Sequence, residues 1–260
     1  MTATILAALV LSSLLVAWLT RGSEPIFRVE EFPSALRRHV ALALLTVTIA
    51  LACVMPLLEY PDVDPQREPL RLSFWMLFLG HALLVAMLFA WWVLAGRPPV
   101  ARFLAVRSTE LAPALRQGAA AGATSWVVAM TLMAIVGTIA TVAGAEAPPG
   151  DGEVPPVVRA IVDLSLGQRL LLILSAGVVE EAFFRGFLQA RVGLLPSSLL
   201  FTASHTSYGL PLMLVGVFAV SVVYGIVFRA RGDVVPCMVA HGVFDAIQLL
   251  VILPVVVGGS

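Results

Sequence analysis

Long apolar runs alternate with short polar breaks along this chain, and the runs recur at a length set by lipid. A hydrocarbon core of about 30 Å needs roughly 17–25 consecutive apolar residues in helical form. Runs of this kind cover 2–20, 39–58, 73–95, 118–144, 168–190, 195–208, 210–228 and 234–258. They predict an all-α, polytopic integral membrane protein with about eight transmembrane helices. The sixth run is short, and Gly209 and Pro211 separate it from the seventh. Those two are either full spans or a re-entrant pair, and spacing is compatible with both. The loops are short. The longest, 145–163, is rich in Pro, Gly and acid. No soluble domain fits, so 1–260 is expected to be a single membrane domain, with four N-terminal spans in 1–144 and four C-terminal ones in 160–258.

Arginine placement tests this count, because short cytoplasmic loops are enriched in basic residues. The first loop holds Arg21, Arg28, Arg37 and Arg38, and the third Arg97, Arg102, Arg107 and Arg116. The fifth holds Arg191, and the seventh Arg229 and Arg231. The second holds Arg67 and Arg71 beside four acids, and the fourth holds Arg159 and, at its edge, Arg169. The asymmetry predicts eight crossings with both termini outside. Met1–Thr20 lacks a basic lead and a cleavage site, so it is read as a retained span rather than a signal peptide.

Composition agrees. The chain is 60% hydrophobic and 12% charged, with a mean hydropathy of +0.98. Soluble chains carry about 25% charged residues. A disordered protein, a disulfide scaffold and most soluble enzymes are excluded. All 16 basic residues are arginine, which reflects GC-rich codon usage more simply than chemistry. Net charge is zero, so nothing draws the chain to nucleic acid. Cys53 and Cys237 lie in apolar runs without a CxxC and read as small buried hydrophobes.

The ionisable residues at bilayer depth are not scattered. Each costs at least about 2.5–3.5 kcal/mol to insert, which makes it a functional candidate by default. Glu180, Glu181 and Arg185 lie in the fifth run, His205 in the sixth, and His241 and Asp245 in the eighth. His81, alone in the third run, reads as a histidine satisfied by a neighbouring helix. Arg169 and Arg191 mark the two ends of the fifth span, about 33 Å apart as a helix, with Glu180 halfway. His205 falls roughly 15 Å and His241 roughly 12 Å from the inner interface. Three helices thus bring an acid and two imidazoles to one depth.

Spacing assigns partners. Residues i and i+4 share a helix face. Glu181 can therefore pair with Arg185, Phe201 can lie against His205, and Asp245 can orient or charge His241. Glu180, about 100° round the helix from Glu181, faces a different neighbour. Gly177, Gly186, Gly242 and Ala246 would allow close helix approach. Two chemistries follow. Glu180, His205 and His241 could hold a divalent metal such as zinc with an open water position. Alternatively, Glu180 is the general base and needs no cofactor, taking a proton from water and returning it to a leaving amine while the histidines hold water or oxyanion. Both lead to amide hydrolysis in the membrane. No GxSxG is present.

Three motifs resemble a known family. Glu180-Glu181-Ala182-Phe183-Phe184-Arg185 looks like the EExxxR motif of the CAAX-protease and bacteriocin-processing (CPBP) intramembrane endopeptidases. Phe201-Thr202-Ala203-Ser204-His205 is similar to its FxxxH motif, and His241-Gly242-Val243-Phe244-Asp245 to its HxxxN/D motif. The resemblance covers about 165–250 and leaves the first four spans without a family signal. It implies a glutamate-dependent intramembrane protease. Glu180 would activate water, His205 would position it, and His241 and Asp245 would form the oxyanion side. Glu181, Arg185 and Phe201 would support them. The motif set implies a metal-free mechanism more readily than a metal site, since the paired acids and histidines need no fourth ligand. An ionised Asp245 would repel an oxyanion, so it is expected to serve His241 instead.

The expected substrate is a membrane-tethered protein or peptide, cut at a C-terminal tail or leader, in a bacterial inner membrane. Two rivals are a proton- or ion-coupled transporter and a non-catalytic scaffold or bacteriocin immunity factor on the same fold. Clustering of the ionisable residues in one half, with no inverted repeat, argues against the transporter.

Overall fold

The computed structural model describes residues 2–20, 31–58, 74–107, 110–144, 156–206 and 210–258. Among these every regular element is helical: α1 (Thr2–Thr20), α2 (Ala35–Leu58), α3 (Phe74–Leu94), α4 (Val100–Phe103), α5 (Leu111–Val142), α6 (Pro156–Val162), α7 (166–192), α8 (Leu194–Ala203), α9 (Pro211–Arg231) and α10 (235–258). Each of the eight apolar runs contains a helix, and the protein is an all-α polytopic membrane protein. Helices α2, α3, α5, α9 and Val235–Val255 of α10 are long and apolar enough to cross a bilayer by themselves, while the apolar parts of α1 and α8 are shorter.

The sixth run departs from a full span. Helix α8 has ten residues, so it rises about 15 Å, half the hydrocarbon thickness. It stops where side chains compete for its carbonyls: Ser204 Oγ donates to Phe201 O (2.7 Å), and His205 Nδ1 lies 2.8 Å from the same oxygen. His205 lies two residues beyond the end of this half-length helix. The seventh run, α9, is full length at 21 residues.

The arginine-rich loops meet at one end of the bundle. Arg107 N donates to Asp233 Oδ1 and Val234 N to Ala105 O, both at 3.0 Å, which joins the third loop to the seventh. Arg191 pairs with Glu31 at 3.2 Å and lies over the rings of Phe187 and Trp91, which joins the fifth loop to the first. At the opposite end Arg169 donates to Val162 O and Leu249 O. The odd-numbered loops, which carry most of the arginines, thus gather at one end of the bundle. Arg21, Arg28, Arg67 and Arg71, and the acidic stretch 145–155, lie outside the described residues.

Helix α7 sits between two apolar clusters. On one side Phe183, Phe184, Phe187 and Leu188 pack with Leu45, Ile49, Leu84, Trp91 and Phe201, so the N-terminal spans share a core with the C-terminal ones. On the other, α5, α9 and α10 bury Ala129, Val220, Tyr224, Phe228, Cys237 and Ala240. Small residues set the spacing. A Cβ on Gly118 or Gly122 of α5 would stand 2.6 Å from Pro236 O or 2.5 Å from Ala240 O of α10. One on Gly177 would stand 3.0 Å from Met238 O, and one on Gly186 2.5 Å from Leu104 O, so two of the glycines singled out for close approach are needed for it. Leu6, Trp18, Leu36, Phe89, Ile139 and Leu174 remain exposed on the outside, as contact with acyl chains requires.

Candidate active site

The site is built on an irregularity in α7. Its ordinary α-helix, Leu166–Ser175, gives way to π-turns at Ala176–Glu180 and Ala182–Gln189. π-turns are uncommon and gather at functional sites. Glu180 and Glu181 stand at the junction of the two.

The carboxylates take different neighbours. Glu181 is fully buried and Arg185 is 1% exposed. Arg185 Nη1 donates to Glu181 Oε1 at 2.8 Å, and Nη2 donates to Ser221 Oγ at 2.9 Å and Ser221 O at 3.2 Å. The guanidinium lies 4.5 Å from the Phe201 ring centroid and 5.4 Å from that of Tyr224. Its donors and its face are thus engaged by α7, α8 and α9 at once. His241 Nδ1 approaches the same Glu181 Oε1 at 2.8 Å. A carboxylate only accepts, so Nδ1 carries the proton and Nε2 is turned away from Glu181.

Here the local pairing is incomplete. Asp245 does lie on the His241 side of α10, with Oδ2 3.5 Å from Nε2. The hydrogen bond that fixes the ring comes instead from Glu181, sixty residues away in sequence. A carboxylate from another helix overrides the i,i+4 neighbour because its geometry is shorter and more direct.

Glu180 faces the other way. His81 Nε2 stands 3.0 Å from its Oε1, and His205 Nε2 stands 3.8 Å from its Oε2. Buried Oε2 accepts no hydrogen bond from the protein. His205 is fixed through Nδ1, which donates to Phe201 O, and its ring packs on Phe201 at 4.5 Å. Phe201 meets Phe184 edge-on at 5.0 Å, and Ser197 Oγ donates to Phe184 O at 2.7 Å, which locks α8 to α7.

All seven residues expected at the site therefore surround one stretch of α7. Glu180 with His205 forms one group, Glu181 with Arg185, His241 and Asp245 a second, and Phe201 lies between them, 6.1 Å from the His241 ring. The two acids do not share one set of histidines. Among the described residues no group of three or more His, Cys, Asp or Glu is arranged to hold a metal ion. His241 turns its Nδ1 to Glu181, and Glu180 gives Oε1 to His81, so the set Glu180, His205 and His241 does not fit a His₂Glu metal centre.

Sequence reasoning left His81, Ser175, Ser221 and Tyr224 outside the site. His81 is the substantive omission: its helix neighbour is Glu180 itself. The rule that marked the other intramembrane ionisable groups applied equally to His81. Tyr224 Oη donates to Ala240 O, and Ser125 Oγ contacts Tyr224 Oη at 3.4 Å, which ties α5 and α9 to the helix carrying His241.

The fold and site define an integral membrane protein with acids and imidazoles collected among its apolar helices. Residues 163–247 match the family described as type II CAAX prenyl endopeptidase Rce1-like. Over that segment the family resemblance carried by the three motifs is borne out, and the family is one of endopeptidases. An uncharacterized protein of Bacillus subtilis (strain 168), YpbD, is 34% identical over 84 residues, 32% of this chain and 44% of that protein. The match thus spans less than half the length of this curated relative. No solved structure matches the chain.

Proposed function

We propose that this protein is an intramembrane endopeptidase in which Glu180 activates the hydrolytic water. One observation carries the reading. Glu180 Oε2 is buried, unbonded and 3.8 Å from His205 Nε2. Two atoms at that separation can both reach one water oxygen at a hydrogen-bond distance of about 2.8 Å. Because Nδ1 of His205 holds a proton for Phe201 O, its Nε2 in the neutral ring accepts from that water while Glu180 takes the other proton. The hydroxyl attacks the peptide carbonyl carbon, and Glu180 returns its proton to the leaving nitrogen as the C–N bond breaks. His241, donating through Nδ1 to Glu181, serves the oxyanion as an imidazolium whose Nε2–H lies beside Asp245. Glu181 and Arg185 neutralise each other and hold that ring in place.

The mechanism uses no metal, and the substrate is a membrane-tethered protein or peptide in a bacterial cell membrane. The test compares membrane peptides from cells making wild-type protein and Glu180→Gln. Glu180→Gln keeps size and burial but cannot take a proton, so a fragment made by the wild type should vanish and its precursor accumulate. Identical peptide sets, with both proteins inserted to equal levels, would refute the reading and favour a scaffold.

A further inference from the structure

The three motifs and the matched segment 163–247 lie in the C-terminal half, but the site they form is not closed by that half alone. Helix α3 contributes His81, ninety-nine residues from its partner. Its ring is held at both nitrogens. Nε2 is 3.0 Å from Glu180 Oε1, and Nδ1 is 2.8 Å from Ser175 Oγ. Phe78 packs against the ring edge-on at 5.9 Å. The His81 and Glu180 side chains are 11% and 15% exposed, so little competes with their contact.

The π-turn explains why one imidazole can touch both Ser175 and Glu180. These residues are five apart, which on a regular helix puts them about 140° from each other. Across the π-turn Ala176–Glu180 the repeat is i to i+5, and both fall on the side facing α3. Glu180 accepts, so Nε2 donates to it, and Nδ1 then accepts from the Ser175 hydroxyl. One oxygen of Glu180 is thereby engaged, and the other is left for the water beside His205.

We infer that His81 is a positioning residue for Glu180, so that the N-terminal spans are part of the catalytic unit. This rests on the role of Glu180 given above. His81 moves no proton in the reaction. It fixes the carboxylate rotamer and directs the active lone pairs of Oε2.

The geometry supplies its own controls. Gln places its amide nitrogen near the position of Nε2 and keeps the donor to Glu180. Asn reaches only as far as Nδ1, and Phe keeps bulk without a donor. With a quenched-fluorescence peptide carrying the bond found in the peptide comparison, His81→Phe and His81→Asn should lower kcat roughly 10- to 100-fold at unchanged KM, as loss of a hydrogen bond to a charged group predicts. His81→Gln should restore kcat to within about threefold, since it retains that bond. A second readout needs no substrate. The infrared carboxylate band assigned to Glu180 by its loss in Glu180→Gln should shift in His81→Phe and keep its position in His81→Gln.

Wild-type kcat and an unmoved band in His81→Phe, with Glu180→Gln inactive, would overturn this inference and leave the role of Glu180 standing. Equal losses in the Gln and Asn variants would also overturn it, because a packing role does not distinguish where the donor sits. Full cleavage by Glu180→Gln would instead overturn the role of Glu180, and the infrared shift would still decide whether His81 holds that carboxylate.

Discussion

Arg185→Ala withdraws a guanidinium from a site where Glu181 has no exposed surface. The variant leaves that carboxylate with His241 as its hydrogen-bonding partner and strips Ser221 of two donated bonds. Breaking a buried ion pair from one side costs about 3–5 kcal/mol. Loss of the contact with Phe201, at 4.5 Å, adds up to about 2 kcal/mol for a desolvated cation–π pair. The remaining bond from His241 to Glu181 offsets part of this, so a net loss of about 3 kcal/mol is expected. At roughly 2–4 °C per kcal/mol for a chain of this size, the melting temperature in detergent should fall by about 6–12 °C. Arg185→Lys keeps the charge but not the planar fork that serves Glu181 and Ser221 together, and should fall between. Combining Arg185→Met with Glu181→Gln removes both charges and should recover part of the loss, because no uncompensated ion remains. A melting temperature for Arg185→Ala within about 2 °C of wild type, less than one kcal/mol by the same scale, would refute the bracing role.

Two further outcomes test other parts of the structure. Chelation with EDTA should leave cleavage unchanged in purified protein; complete inhibition reversed by zinc would require a metal-bearing arrangement of Glu180, His205 and His241. Gly122→Ala introduces a Cβ 2.5 Å from Ala240 O and should push α10 outward, costing about 1–3 kcal/mol in a thermal melt, as overpacking does. Gly80→Ala, where a Cβ meets nothing within 4 Å, is the matched control, and equal effects in the two would show that helix spacing is not the cause.

The spans were legible because lipid imposes one length and one chemistry on them. The short α8 was not, because apolarity continues to residue 208 while the helix stops at Ala203, where Ser204 and His205 divert its carbonyls. The i,i+4 rule found Glu181–Arg185, which the structure keeps at 2.8 Å. It also placed Asp245 beside His241, but it carries no information about a closer acid on another helix. His81 was passed over for the same reason: its own helix offers no partner, and the one it has is on α7. The π-turns left no mark in the hydrophobic pattern, although they decide which residues of α7 share a face.

Two consecutive acids on one helix give each a different surround, and the difference assigns their work. Glu181 is tied into the bundle: Arg185 and His241 both donate to its Oε1, while its Oε2 is buried without a hydrogen-bond partner. Its charge is balanced by the arginine, so the ring of His241 can be fixed without leaving a bare ion in lipid. Glu180 is paired with imidazoles rather than with an arginine, one oxygen taken by His81 and the other facing His205 at 3.8 Å. A general base needs a fixed orientation together with a lone pair beside a group that can share its water, and Glu180 has both. The arginine-paired acid therefore stabilises the bundle, and in the proposed mechanism the one beside His205 meets the water.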